Sequence, residues 1–192
     1  MIAATSRQFA RAGGVLLLAS ALLISAEIIA RKLFGAGWNI ATELSGYALA
    51  IGSALAFADT MIARAHIRVD VLYGRFPRRA RMLLDLLSAA SLALFALMLA
   101  WRIAEVVAES WWLDAHENTT LATPLVIPQG LWWLAVLWFT FVACWITLRT
   151  AAAVARGDAA AVRALAGPPG IEEELDEAME DARRRQAGRA GR

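Results

Sequence analysis

Four long apolar runs, separated by short polar stretches, set the pattern of this chain. They cover about residues 13–30, 44–63, 82–108 and 129–148. A helix needs roughly 18–20 apolar residues to cross a bilayer core about 30 Å thick, and each run is long enough. Backbone N–H and C=O groups find no water in lipid, so a helix, which pairs them internally, is the predicted conformation. Pro124 and Pro128 flank the fourth run and place its helix start near Pro128 or Gln129. The predicted fold is an all-α integral membrane protein. Four transmembrane helices form a membrane domain over 1–166, and a charged tail follows over 167–192.

The polar stretches carry a second pattern. Between runs two and three lie Arg64, Arg68, Arg75, Arg78, Arg79 and Arg81. In the same stretch Val69, Leu72, Tyr73 and Phe76 recur at i, i+3, i+4 and i+7, which predicts a short helix lying in the membrane interface. Pro77 then suits the start of the third span. His66 and Asp70, four apart, are within hydrogen-bonding reach on such a helix. Arg7 and Arg11 precede the first run, and Arg149, Arg156 and Arg163 follow the fourth. The positive-inside rule therefore predicts both termini and the middle loop on the cytoplasmic side, with Asp114, His116 and Glu117 facing outward. Trp38, Trp111, Trp112, Trp132 and Trp133 fall at outer ends of runs, where an amphipathic ring prefers to sit. Trp101, Trp138 and Trp145 fall deeper, against other helices or lipid.

Composition agrees with this pattern. The chain has 192 residues, is 59% hydrophobic and has a net charge of only +2, with a mean hydropathy of +0.53. Its single cysteine, Cys144, excludes a disulfide within the chain and reads as a small packed hydrophobe. Arg7 and Arg11 before an apolar run resemble a secretory signal. The Ala19-Ser20-Ala21 triplet comes too early for cleavage, so the segment is expected to be retained. Arg149, Arg156 and Arg163, seven apart, predict a basic stripe on a fourth helix that runs on until the GPPG at 167–170 stops it. The tail beyond has acids first and bases last, suited to a short amphipathic helix or to disorder.

Charges inside membrane spans are costly and each needs an account. Glu27 precedes Arg31 by four residues, a favourable pairing. Asp59 has no base at i+4, so an arginine of the middle loop, or else a partner subunit, is expected to neutralise it. Asp85 pairs in spacing with Arg81, and Arg102 with Glu105. Glu43 falls in the first turn of the second helix, where a carboxylate favours the positive helix end and Asn39 or Thr42 could cap; docking to a partner is its rival role. Gly46, Ala50 and Ser53 give that helix a small-residue face suited to close packing.

Catalytic, cofactor and metal constellations are not expected. His66 and His116 fall on opposite membrane faces, no Cys/His cluster suits zinc, and no glycine-rich phosphate loop precedes a helix. Nothing marks a nucleic-acid partner. The residues alone leave open a small proton-coupled exporter or a membrane assembly factor, although Glu27 lies too near the end of its run for an exporter's central acid.

The strings RKLFGAGWNIATEL (31–44) and HIRVDVL (66–72), with TPLVIPQGLWWL leading into the fourth span, resemble the DctQ-type small membrane subunit of TRAP transporters. The likeness covers about residues 10–163. The spacing from Trp38 to Glu43 is slightly longer than the common form. The resemblance implies a non-enzymatic scaffold in the bacterial inner membrane. Its implied partners are a DctM-type large subunit, a periplasmic solute-binding protein and membrane lipid. It further implies ion-gradient-driven uptake of an organic acid such as a dicarboxylate, Na⁺ being the usual coupling ion. Arg31, Trp38, Glu43, Asp59, His66, Arg68 and Asp70 are the residues expected to serve assembly or loop architecture.

Overall fold

The computed structural model describes residues 1–35, 40–64, 76–119, 121–167 and 179. Among them the fold is all-α, with α1 (Ile2–Phe34), α2 (Ala41–Ile62), α3 (Arg78–Trp112), α4 (Val126–Ala155) and the short α5 (Ala159–Ala166). The first four are long and apolar enough to cross a membrane. The interfacial helix predicted around 69–76 and the tail from 168 on fall outside the described residues, Phe76 and Met179 excepted.

The helices outrun their apolar cores. α1 begins eleven residues before Gly13, because its polar start has partners. Ser6 is buried and accepts the Trp138 indole N–H at 3.1 Å, while Phe9 meets the Trp138 ring edge-on at 5.5 Å. Gly35 ends α1 in the left-handed conformation (φ 66°), its N–H returning to the Arg31 carbonyl, a role that glycine fills without a Cβ clash. Pro77 is the residue just before α3, as its sequence position suggested. α4 starts at Val126, ahead of the predicted Pro128. Pro128 fits inside the first turn because backbone N–H groups there have no intrahelical partner.

A further departure lies at the end of α4. The helix does not run on to the GPPG. It stops at Ala155, Gly157 takes φ 70°, and Asp158 caps α5 by accepting the Ala161 N–H at 3.0 Å. α5 turns back onto α3 and α4 and buries Val162 and Ala166, with Val162 packed against Met82 and Ala153. The continuous basic stripe is therefore broken. Arg149 lies over the Trp145 ring at 5.0 Å, whereas Arg163 belongs to α5.

α1 and α2 form an antiparallel hairpin, α3 and α4 a second, and α2 packs along α4. α1 and α3 therefore lie on opposite sides of the α2–α4 pair. The end of the bundle that carries the 35–40 and 113–125 connections is termed the loop end, and the other the terminal end. The close approach between α1 and α2 uses Gly13 and Gly52: a Cβ on Gly13 would overlap the Gly52 carbonyl. The predicted small face on α2 is displaced. Gly46 is exposed with open space around it, and the buried small residues are Ala41, Ala48, Gly52, Ala54 and Ala58. Only a hydrogen atom lets two helix backbones touch in this way.

α4 is joined to α3 by donors seven residues apart. The Trp133 indole donates to the Ala100 carbonyl at 3.0 Å, Thr140 to Ala96 at 3.2 Å and Thr147 to Ala89 at 3.0 Å. A seven-residue repeat keeps one seam facing its partner, and alanine on α3 lets the donors reach carbonyl oxygens that already serve their own helix. Phe139, Val142 and Ile146 fill the space between Ala58 and Met61 of α2 and Ala93 and Ala96 of α3. Cys144 is half-buried beside this cluster.

Candidate functional site

Two buried carboxylates organise the loop end. Glu27, 4% exposed, sits one turn before Arg31 on α1 and accepts the Arg31 guanidinium at 2.6 Å. Its second oxygen accepts the backbone N–H of Ala41 at 2.8 Å. α2 has no side-chain cap of its own, its N-cap being Ile40. The first N–H groups of a helix lack internal partners and favour negative charge. Glu27 therefore caps α2 from the neighbouring helix, in place of the expected Asn39 or Thr42: Asn39 lies outside the described residues, and Thr42 is exposed.

Glu43, 6% exposed, performs a related task one turn further on. It accepts the Tyr47 hydroxyl at 2.9 Å on one oxygen and the Thr119 hydroxyl on the other. Thr119 and Thr123 belong to the connection between α3 and α4. That connection is closed on itself by a bridge between His116 and Pro124, with Glu117 N–H donating to the Thr123 carbonyl and Leu125 N–H to Ala115. Glu43 thus fastens this loop to the start of α2. His116 turns its Nδ1 to the Asp114 carbonyl at 2.7 Å.

The other sequence-selected residues divide. Arg31 is joined to Glu27 as its spacing suggested. Asp59 is half-buried near the terminal end of α2. Among the described residues no cation lies against it, and Arg64 reaches the Arg163 carbonyl at 3.4 Å. Trp38, His66, Arg68 and Asp70 lie outside the described residues. Asp85 is buried and lines a surface cavity of 390 Å³ with Arg78, Arg81 and Arg163, and the Arg81 Nε donates to the Phe76 carbonyl at 3.0 Å. On α3, Arg102 and Glu105 pair at 2.7 Å, and the Trp101 indole donates to the same carboxylate at 2.8 Å. Among the described residues no three His, Cys, Asp or Glu side chains gather as a metal site.

Sequence reasoning missed the second role of Glu27, the Thr119 partner of Glu43, and the Trp133–Thr140–Thr147 seam. The seam had a visible signal, since three donors recur every seven residues. The carboxylate links had none, because they join residues of different elements.

This arrangement fastens helices to one another and leaves broad apolar surface outside. No curated protein and no solved structure matches the chain. Residues 20–157, well over half of its length, match the family described as tripartite ATP-independent periplasmic transporters, DctQ component. With four helices able to cross a membrane and this match running through all four of them, the chain belongs to the DctQ family of TRAP transporter small membrane subunits.

Proposed function

We propose that the chain is a scaffold that braces the large, DctM-type membrane subunit of a TRAP transporter. In this reading the large subunit carries the solute and coupling-ion sites and a periplasmic protein delivers the solute. Uptake of an organic acid is driven by an ion gradient, across a bacterial inner membrane. Both termini and the middle connection face the cytoplasm, where the arginines of 64–81 are retained. The family match is the observation that carries the reading.

The chemistry of the loop end supports a bracing role. Glu27 and Glu43 are committed to Ala41, Arg31, Tyr47 and Thr119 within the chain. Buried carboxylates used in this way hold a shape. A half-buried Asp59 with no cation among the described residues is, in this reading, a contact for a basic or hydrogen-bonding group of the large subunit. Trp38, His66, Arg68 and Asp70 belong to the same assembly surface by their place in the family motif. Co-purification with the large subunit tests this. Asp59→Asn and Asp70→Ala should weaken recovery of the complex while leaving the isolated chain folded. Undiminished recovery with both changes would remove the proposed assembly surface.

A further inference from the structure

At the terminal end, Arg78 and Arg79 open the first turn of α3. They line a surface cavity of 450 Å³ together with Met82 and Leu83 of the same helix, Val154 of α4 and Gly157 of the elbow before α5. Ligand sites commonly enclose about 300–1,000 Å³. Both arginines are exposed, and among the described residues neither meets a carboxylate. The elbow is held in place: Gly157 takes φ 70°, Asp158 caps α5, and Val162 packs with Met82 and Ala153. Three elements therefore shape the cavity.

Its lining joins two chemistries. The planar guanidinium fork of arginine matches phosphate oxygens. Met82, Leu83 and Val154 are apolar. From Leu83 an apolar stripe continues along α3 through Leu87 and Leu94, all three exposed. They lie four and eleven residues apart from Leu83, so they share one helix face. Leu83 to Leu94 is about 16 Å at 1.5 Å per residue. That is the depth of one leaflet, half of a bilayer core of roughly 30 Å. On α4 the same boundary appears where exposed Leu148 is followed by exposed Arg149. An adjoining cavity of 390 Å³ shares Arg78 and Met82, but Asp85 also lines it, so it suits an anion less well.

We propose that the 450 Å³ cavity seats one anionic phospholipid. Its phosphate lies between Arg78 and Arg79, and an acyl chain follows Leu83, Leu87 and Leu94. Basic pockets between membrane helices recognise anionic headgroups in this way. A stripe one leaflet deep beside two unpaired cations favours a lipid over a protein partner, whose contacts need not end at that depth. The bound lipid touches α3, the end of α4 and the elbow at once, and so fastens α5 to the bundle. The inference needs only that α3 and α4 cross a membrane, so it stands apart from the proposed transport role.

Thermal unfolding of the full chain in zwitterionic micelles tests it, with phosphatidylglycerol, phosphatidylcholine or inorganic phosphate added. Phosphatidylglycerol should raise the midpoint by several degrees and saturate, and the other two should not. Arg78→Gln combined with Arg79→Gln should abolish the rise. Arg7→Gln combined with Arg11→Gln, an equal loss of charge on α1, should keep it. Should the first pair impair folding, the unaltered chain decides through phosphatidylglycerol carrying a diazirine on its acyl chain. Adducts should fall within residues 82–94 and be competed by phosphatidylglycerol but not by phosphatidylcholine. An equal rise with phosphatidylcholine, a rise with inorganic phosphate alone, the same response in both variant pairs, or adducts spread over all four long helices would overturn the proposal. So would an unresponsive purified chain, the result expected if the cavity docks another protein instead.

Discussion

The carboxylate of Glu27 accepts the backbone N–H of Ala41 at 2.8 Å, across fourteen residues of sequence. One side chain thereby closes the α1–α2 hairpin, caps α2 and holds Arg31. Glu27→Ala leaves a buried donor unpaired and should cost about 1–3 kcal/mol. Glu27→Gln keeps an acceptor for Ala41 and should cost less. Reversible unfolding in mixed micelles ranks the two. Equal losses would show that the helix cap contributes nothing beyond the ion pair.

The Gly13–Gly52 contact gives a sharper contrast. Gly13→Ala places a methyl group into the Gly52 carbonyl and should force the hairpin apart. Gly14→Ala meets open space and should be neutral or gain up to about 1 kcal/mol from helix propensity. Thermal unfolding of the two variants side by side checks this, and a matched response would remove the close approach.

On the α3–α4 seam the expected effects are modest. Hydrogen bonds between membrane helices average about 0.6 kcal/mol. Thr140→Val and Thr147→Val should each cost about that much by the same unfolding assay. Ala96→Leu, which drives a large side chain into a fully buried position, should cost about 1–3 kcal/mol. A threonine change more damaging than Ala96→Leu would contradict the packing described.

The α5 helix depends on its cap. Asp158→Ala removes the acceptor for the Ala161 N–H and should cost about 1 kcal/mol locally. Limited proteolysis near Gly157 should quicken while the four long helices remain intact. Unchanged cleavage would mean that burial of Val162 and Ala166 holds α5 without the cap.

Much of this architecture could be read from the chain because each span must satisfy lipid by its own composition. The four apolar runs and the Glu27–Arg31 spacing are local signals, and each has its counterpart in the structure. The break before α5 was also signalled locally, by Gly157 followed by Asp158, but the seven-residue recurrence of Arg149, Arg156 and Arg163 read as one continuous helix. Gly46 drew attention as a small residue on α2, whereas Gly52 makes the contact. Which glycine meets a neighbour depends on the register between helices, and hydropathy carries no such register. The Glu27–Ala41 and Glu43–Thr119 links were hidden for the same reason.

The central claim is that this DctQ-family chain braces a transporter whose solute and ion sites lie in another subunit. Ion-gradient-driven solute uptake into vesicles, measured with the large subunit and binding protein in the presence and absence of this chain, tests it most directly. The account predicts strong uptake only when this chain is included, and none from this chain alone. Full-rate uptake without it, or transport by it alone, would contradict the account.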